Sequence, residues 1–177
     1  MALPDSFVQS QGTAVIWGES GASGVTKTLS FDALANGSAR MGASADLGSD
    51  WNREYLVILS IETGTAPTAG LTCELYFACS YDNSLWPAGV TGSDGAWPSD
   101  GNEDEWSPQL GTPVSVLVAT NDANTVQTQN AVIWRPTGRY VAPVVDNNLG
   151  QAIRDETTAT DNGSRVILVP LNDKIID

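Results

Sequence analysis

Hydrophobic and polar residues alternate along several short stretches of the chain. The clearest runs are 53–63 and 71–80, where every second residue is apolar. A period of two places successive side chains on opposite faces of a β-strand, so each run predicts a strand with a buried face. In 53–63 the residues at the alternate positions, which form the second face of the strand, are also mostly apolar. This is typical of a central strand.

Weaker alternation predicts further strands. A run at 39–47 is better read as a strand than as a short helix, because glycine disfavours the helix. The other predicted strands are 13–17, 25–31, 114–120, 131–135, 139–145 and 165–171. Pro143 and Pro170 predict sheet edges or bulges in the last two. Roughly eight or nine strands with polar turns predict an all-β fold, a single antiparallel β-sandwich or jelly roll.

One long segment lacks this rhythm. Residues 81–113 are predicted to form an irregular loop, which contains Trp86, Trp97 and Trp106 and a run of acids. Because tryptophan is unfavourable in water, we expect the loop to pack on its own domain or on a neighbouring subunit. Residues 1–12 also lack a pattern. They predict an N-terminal arm, extended or frayed, before a domain that spans 13–177 and includes the loop.

The negative net charge of the chain argues against two classes of binding partner. The 177 residues include 21 acidic and 8 basic side chains, a formal net charge of −13, and the basic residues form no run. Nucleic-acid binding requires clustered Lys and Arg, so neither nucleic acid nor an anionic membrane is an expected partner. The N-terminal stretch lacks the basic and apolar regions of a signal peptide, and no span approaches membrane length. We therefore expect synthesis in the cytoplasm.

The two cysteines lie on one predicted strand. Cys73 and Cys79 share the buried face but are six residues apart, about 20 Å in an extended chain. A disulfide requires Cα atoms within about 7 Å, and the same separation forbids a shared metal ion. Both are predicted to be small core residues rather than a redox or metal pair.

The residue types argue against catalysis. The chain has no histidine, the commonest general base, and lacks the nucleophile-elbow and phosphate-binding glycine motifs. A pair of carboxylates remains the one catalytic option, as in glycosidases. The candidates are Glu62, Glu74, Asp94, Asp100, Glu103, Asp104 and Glu105. Since nothing in the sequence pairs them, we expect a protein that is not an enzyme.

The sequence contains two candidate binding sites, an acidic run and a group of tryptophans. Residues 100–104 space oxygen ligands as calcium loops do, but Glu105 stands where the EF-hand loop requires Gly, so a solvated acidic loop is favoured. Trp86, Trp97 and Trp106 are candidate contact residues, either as a platform for sugar rings or as packing anchors. The prolines that follow them favour the packing role. Neither metal nor cofactor is expected.

Three segments resemble parts of virion structural proteins of tailed bacteriophages. The run ELYFACSYDNSLWP is similar to a strand that ends in Ser, an Asp-Asn turn and Trp-Pro in those proteins. The later RPTGRYVAPVVDNNLGQAI resembles their companion strand and turn, and the upstream LANGSARMGASADLG fits the same pattern. Together these segments cover about half of the chain, and they are structural rather than catalytic signatures.

The resemblance implies a β-sandwich or jelly-roll protein of the particle. A capsid decoration (cement) protein fits best: it lies on the outer capsid surface, often as a homotrimer, and bridges neighbouring major capsid subunits. The implied partners are the major capsid protein and further copies of the chain. A tail, neck or fibre component with a receptor- or carbohydrate-binding role is the alternative. An acidic surface agrees with an outer location, since packaged DNA would repel it.

Overall fold

The computed structural model describes residues 7–98, 103–154 and 163–175, which form thirteen strands and one helix. The elements are β1 (Phe7–Gln11), β2 (Val15–Gly18), β3 (Lys27–Thr28), β4 (Ser38–Met41), β5 (Ala45–Asp46), β6 (Glu54–Ile61), β7 (Thr72–Ser80), β8 (Gly95–Trp97), α1 (Glu103–Leu110), β9 (Ser115–Val118), β10 (Gln127–Thr128), β11 (Val132–Trp134), β12 (Tyr140–Asn148) and β13 (Arg165–Ile175). Within these ranges, no helix is long and apolar enough to cross a membrane.

The strands form two sheets that pack against each other as a β-sandwich. Sheet 1 has the order β10-β6-β13-β2-β3, with β1 added to β13 and β11 to β6. Sheet 2 has the order β8-β4-β12-β7-β9, with β5 added to β12. Every described pairing is antiparallel except that of β2 with β3. The predicted all-β antiparallel sandwich is confirmed.

The connections follow the jelly-roll pattern. When β4 with β5 and β10 with β11 are each counted as one interrupted strand, each sheet has a central set of four. β3 and β8 lie at the sheet edges outside these sets. Among the eight remaining strands from β2 to β13, the chain crosses between the sheets at every step except from β7 to β9, which are neighbours in sheet 2. A double sheet of eight strands wound in this way is a jelly roll.

The main core lies between the sheets. From sheet 1 it takes the alternating face of β6, namely Tyr55, Val57, Leu59 and Ile61, as the sequence predicted. From sheet 2 it takes Cys73, Leu75 and Phe77 of β7 with Val141 and Val145 of β12. The apolar faces of the two sheets, each formed by every second residue of its strands, therefore pack against each other. Burial of their apolar surface stabilises the sandwich.

The predicted strand at 39–47 is interrupted. Ala39 and Met41 of β4 face the outside of sheet 2, whereas Ala45 of β5 faces the main core. At the break, the N–H of Ala43 donates to the carbonyl of Thr28 in sheet 1, and Gly42 donates to Pro143. The prediction of one continuous strand over 39–47 was therefore wrong, because the chain turns towards the other sheet between the two halves.

Pro143 and Pro170 both lie in internal strands, so of the two predicted positions the sheet edge is wrong and the bulge is confirmed. In each case three residues of the neighbouring segment stand opposite two residues of the proline's strand. Each occupies a point where the neighbouring strand is interrupted: Pro143 lies at the break between β4 and β5, and Pro170 at the break between β1 and β2. In each case the proline carbonyl accepts a hydrogen bond from a glycine, Gly42 or Gly12. The missing proline N–H therefore removes no ladder hydrogen bond.

The segment 81–113 is more ordered than predicted. It includes β8, which pairs with β4 at the edge of sheet 2, and the helix α1. Ala88, Val90 and Trp97 from this segment form a second core with outward-facing residues of β4, β7 and β12. Of the two predicted packing modes, the described part of the loop adopts the first, packing on its own domain.

The predicted N-terminal arm is partly described. Residues 7–11 form β1, whose register with β13 runs from Phe7 opposite Ile175 to Gln11 opposite Leu171. Residues 1–6 lie outside the described residues. β1 and β13 together extend sheet 1 beyond the end of β2.

Candidate functional site

The predicted contact tryptophans mainly hold the loop against the domain. Trp97 is only 4% exposed, and its indole N–H donates to the carbonyl of Ala88 at 2.7 Å. Trp86 is half-buried beside the second core and packs against Gly92, where an added Cβ would lie 2.9 Å from the indole nitrogen. Trp106 belongs to α1, and its side chain lies outside the described residues. Trp97 thus has little surface to offer a partner.

An ion-pair network fixes the same loop to the sandwich edge. Arg40 donates to both carboxylate oxygens of Asp94, at 2.9 and 2.7 Å, and Asp94 also accepts the N–H of Ser30 at 3.0 Å. The hydrogen bond to Asp94 raises the pKa of Arg40. Nearby, the Glu19 carboxylate accepts the N–H groups of Phe31 and Asp32. The Asp94 contacts attach the loop to β4 and to Ser30, and charge-assisted hydrogen bonds of this kind are strong.

A short turn at the end of β7 places two large apolar side chains in solvent. Residues 80–85, here called the Tyr81 turn, begin at Ser80, the last residue of the strand. Tyr81 is 76% exposed and Leu85 is 78% exposed, the highest values among the large hydrophobic residues of the described chain. Single exposed apolar side chains are common on protein surfaces, so the interest of this turn is that it presents two of them within five residues.

Hydrogen bonds hold the backbone of the Tyr81 turn. The hydroxyl of Ser80 accepts the N–H groups of Asp82 and Asn83, and the carboxylate of Asp82 accepts those of Ser84 and Leu85 at 2.9 and 3.0 Å. Asn83 has a positive φ of 62°, which asparagine tolerates better than most residues. These backbone hydrogen bonds lower the pKa of Asp82, so its carboxylate stays charged to a lower pH than that of a free aspartate.

Residues from neighbouring segments pack against the turn. A Cβ on Gly138 would lie 2.8 Å from the carbonyl oxygen of Ser80, so this glycine lets the two backbones touch. Trp51 meets Tyr81 edge to face, with ring centroids 6.5 Å apart. Arg139 lies 5.1 Å from the ring centre of Tyr140 and forms a bidentate ion pair with Asp46. The Tyr81 turn is therefore preorganised rather than loose.

The candidate carboxylates whose side chains the structure describes do not converge on one cleft. Glu62 is paired with Arg154, and Asp94 with Arg40. Glu74 lies opposite Asp146 on the neighbouring strand, outside the sandwich, and accepts the hydroxyl of Tyr76 at 2.5 Å. The other candidates are Asp100, outside the described residues, and three residues of α1 whose side chains are not described: Glu103, Asp104 and Glu105.

The described residues contain no group of three potential metal ligands. The first part of the calcium-like run, 100–102, lies outside the described residues. Cys73 and Cys79 are both free thiols, and burial raises the pKa of Cys73. Both lie on β7, so the predicted separation along one strand is confirmed, as is the core position of Cys73. Cys79 is half-buried and packs against the main core.

Only a few residues of the sequence indicate the Tyr81 turn. Ser80, Asp82 and Asn83 are residue types that bond to nearby backbone groups, so the stretch predicts a turn. Nothing in the local pattern indicates that Tyr81 and Leu85 remain exposed, because exposure is set by tertiary contacts such as that of the distant Trp51 with Tyr81.

We compared the chain with protein-family models, with curated proteins and with solved structures, and none of them matched it significantly.

Proposed function

We propose that this protein is a non-enzymatic structural protein of a bacteriophage particle, which binds the outer capsid surface as a decoration (cement) protein. Its partners are the major capsid protein and further copies of the chain, such as a homotrimer. The preorganised Tyr81 turn is the observation on which this proposal rests, because a rigid pair of exposed apolar side chains suits an anchor in a protein interface.

The arrangement of the three segments that resemble phage proteins supports this proposal. ELYFACSYDNSLWP includes most of β7, RPTGRYVAPVVDNNLGQAI includes β12, and LANGSARMGASADLG includes β4 and β5. β12 pairs with β7 on one side and with β4 and β5 on the other. The resemblance therefore falls on one continuous part of sheet 2, which ends in the Tyr81 turn.

The mechanism is mechanical. Tyr81 and Leu85 would enter apolar pockets of the capsid surface, and the rigid turn would lose little conformational entropy on binding. A protein that binds the assembled shell and not its separated subunits stabilises the shell by mass action. The acidic surface favours the outside of the shell, since packaged DNA repels negative charge.

The copy number in purified particles tests the location. Quantitative mass spectrometry should find hundreds of copies per particle, because a decoration protein covers the whole capsid lattice. A few dozen copies or fewer would contradict the capsid location and favour the tail, neck or fibre alternative. In that case binding to a glycan array would test the carbohydrate-binding role.

A binding experiment tests the proposed contact. Particles that lack the protein are mixed with purified wild type or with a Tyr81→Ser/Leu85→Ser double variant, and bound protein is measured after sedimentation. We expect the double variant to bind at least about tenfold more weakly, as for the loss of central interface residues. Particles that bind the added protein should also regain their resistance to heat.

Leu71→Ser is the matched control for this experiment. Leu71 is also exposed but lies at the opposite end of β7, about 30 Å away along the strand. The control should bind like wild type, and circular dichroism should find all variants folded. Equal binding by the double variant and wild type would rule out the Tyr81 turn as the contact.

A further inference from the structure

The outer edge of sheet 2 is an open strand. β9 pairs with β7 on one side and is the last strand of the sheet. The N–H of Ala119 donates to Leu71 of the β7 side, and backbone groups along a strand alternate in direction. The N–H and C=O groups of Val116 and Val118 therefore point away from β7, and within the described chain no hydrogen bond is found to them.

The edge strand itself carries no side chain of the kind that blocks added strands. Charged residues, especially Lys, and Pro commonly block exposed edges, and Ser115–Val118 contains neither. Val118 is 57% exposed, and Val116 is half-buried on the same face. An extended segment of another chain can therefore pair with β9 through its backbone groups.

The face of sheet 2 beside this edge carries unbalanced negative charge. Glu74 lies next to Val116 across the β7–β9 pair and directly opposite Asp146 across the β7–β12 pair. Two like charges in this position repel each other. Neither carboxylate forms an ion pair with a described residue. Burial and the nearby Glu74 charge raise the pKa of Asp146.

We propose that β9 binds an extended segment of another protein as an additional antiparallel strand, with a Lys or Arg of that segment placed opposite Val116. The aliphatic stem of this residue would lie over Val116, and its charged end would reach Glu74. Main-chain hydrogen bonds to Val116 and Val118 would provide affinity, and the charge beside Glu74 and Asp146 would provide selectivity.

Charge complementarity selects a basic partner over a second copy of the chain. Two β9 strands paired about a two-fold axis would place Ser115–Val118 against itself, with no cation to meet either Glu74. The net charge of −13 on each copy would add repulsion. This inference concerns the strand-binding edge and does not depend on the protein's place in a particle.

Two short synthetic peptides test the proposal. Both alternate Thr and Val, and they differ only in a central Lys or Glu. In a nuclear magnetic resonance titration, the Lys peptide should shift the amides of Val116 and Val118 more than those of Ser115 and Leu117, which face β7. The Glu peptide should bind about threefold to fivefold more weakly, the range of an exposed ion pair. Glu74→Gln should remove this preference.

A proline variant tests the backbone contact. Val116→Pro removes an outward N–H without removing a hydrogen bond to β7, so the fold should persist and peptide binding should be lost. Val116→Thr is the matched control and should bind like wild type. Should the proline variant not fold, the comparison of the two peptides on Glu74→Gln decides the question. The proposal is overturned by equal affinity for both peptides, by no binding of either, or by pairing of two copies through β9 in sedimentation.

Discussion

Gly42 donates its N–H to the carbonyl of Pro143 at 2.8 Å, and the two residues touch so closely that an added Cβ would lie 2.9 Å from the proline ring. The same Cβ would lie 3.1 Å from Trp17 and 3.2 Å from Leu29, both fully buried. A proline in an internal strand is thus accommodated by a glycine at the break of the neighbouring strand.

Gly42→Ala should therefore destabilise the fold. The added methyl group meets a proline ring and two core side chains that cannot easily move, and such overpacking costs about 1–3 kcal/mol. Urea unfolding followed by tryptophan fluorescence measures this loss. Gly95→Ala is the matched control, since its Cβ would meet only Met41 at 3.6 Å. Similar stability of both variants would contradict the close packing at Gly42.

Arg154→Met should also destabilise the fold. The Glu62 side chain is 7% exposed and forms an ion pair with Arg154 at 2.5 Å. Removal of the cation leaves a buried carboxylate without its charge partner, which should cost about 2–4 kcal/mol. Arg135→Met is the control, because Arg135 is 66% exposed in its pair with Glu54. A surface pair contributes about 1 kcal/mol or less, so equal losses would contradict the distinction.

The alternating pattern predicted the strands that build the core and missed elements without such a pattern. β6 and β7 are confirmed because their buried residues recur at every second position. α1 was not predicted, since Glu103–Leu110 has few apolar residues and contains Pro108. β12 continues past Val145 because Asn147 is buried and its amide donates to the carbonyls of Leu34 and Gln151. Such a polar core contact has no periodic signal.

The candidate site was predictable only as a turn. The Ser80, Asp82 and Asn83 side chains bond to backbone groups within a few residues, so local sequence is enough to indicate the turn. The contacts around the turn, of Gly138 with Ser80 and of Trp51 with Tyr81, involve residues that are distant in sequence. Likewise, Glu74 and Asp146 face each other only because β7 and β12 pair in one register.

The two cysteines should differ in reactivity. Cys73 is fully buried, and burial raises the pKa of its thiol, whereas Cys79 lines a cavity of about 360 Å³ beside Trp134. With a thiol reagent, Cys73 in a Cys79→Ser variant should react about a thousandfold more slowly in the folded than in the unfolded chain, as for a group exposed only by unfolding. Cys79 in a Cys73→Ser variant should react faster. Equal rates would contradict the burial of Cys73.

Asp46 and Asp146 should change stability in opposite directions with pH. Ion pairing with Arg139 lowers the pKa of Asp46 to about 2, below its usual 3.8. The folded state then binds this proton less tightly than the unfolded state, so the stabilisation by Asp46 is present above pH 3.8 and is lost as the pH falls through about 2. Asp46→Asn should therefore lower Tm at neutral pH, and the difference from wild type should shrink in acid.

The contribution of Asp146 to stability changes with pH in the opposite direction, because burial raises its pKa and the charge of Glu74 adds to the effect. Its protonated form is favoured by folding, so its contribution is full below the unfolded pKa and is lost as the pH rises through the folded pKa. Asp146→Asn should raise Tm at neutral pH, since the amide removes the repulsion and its oxygen can still accept the hydrogen bond from Asn148. Thermal melts across the acid range measure both variants. A rise in Tm for Asp146→Asn that persists unchanged below about pH 3 would show that the gain comes from packing and not from the charge.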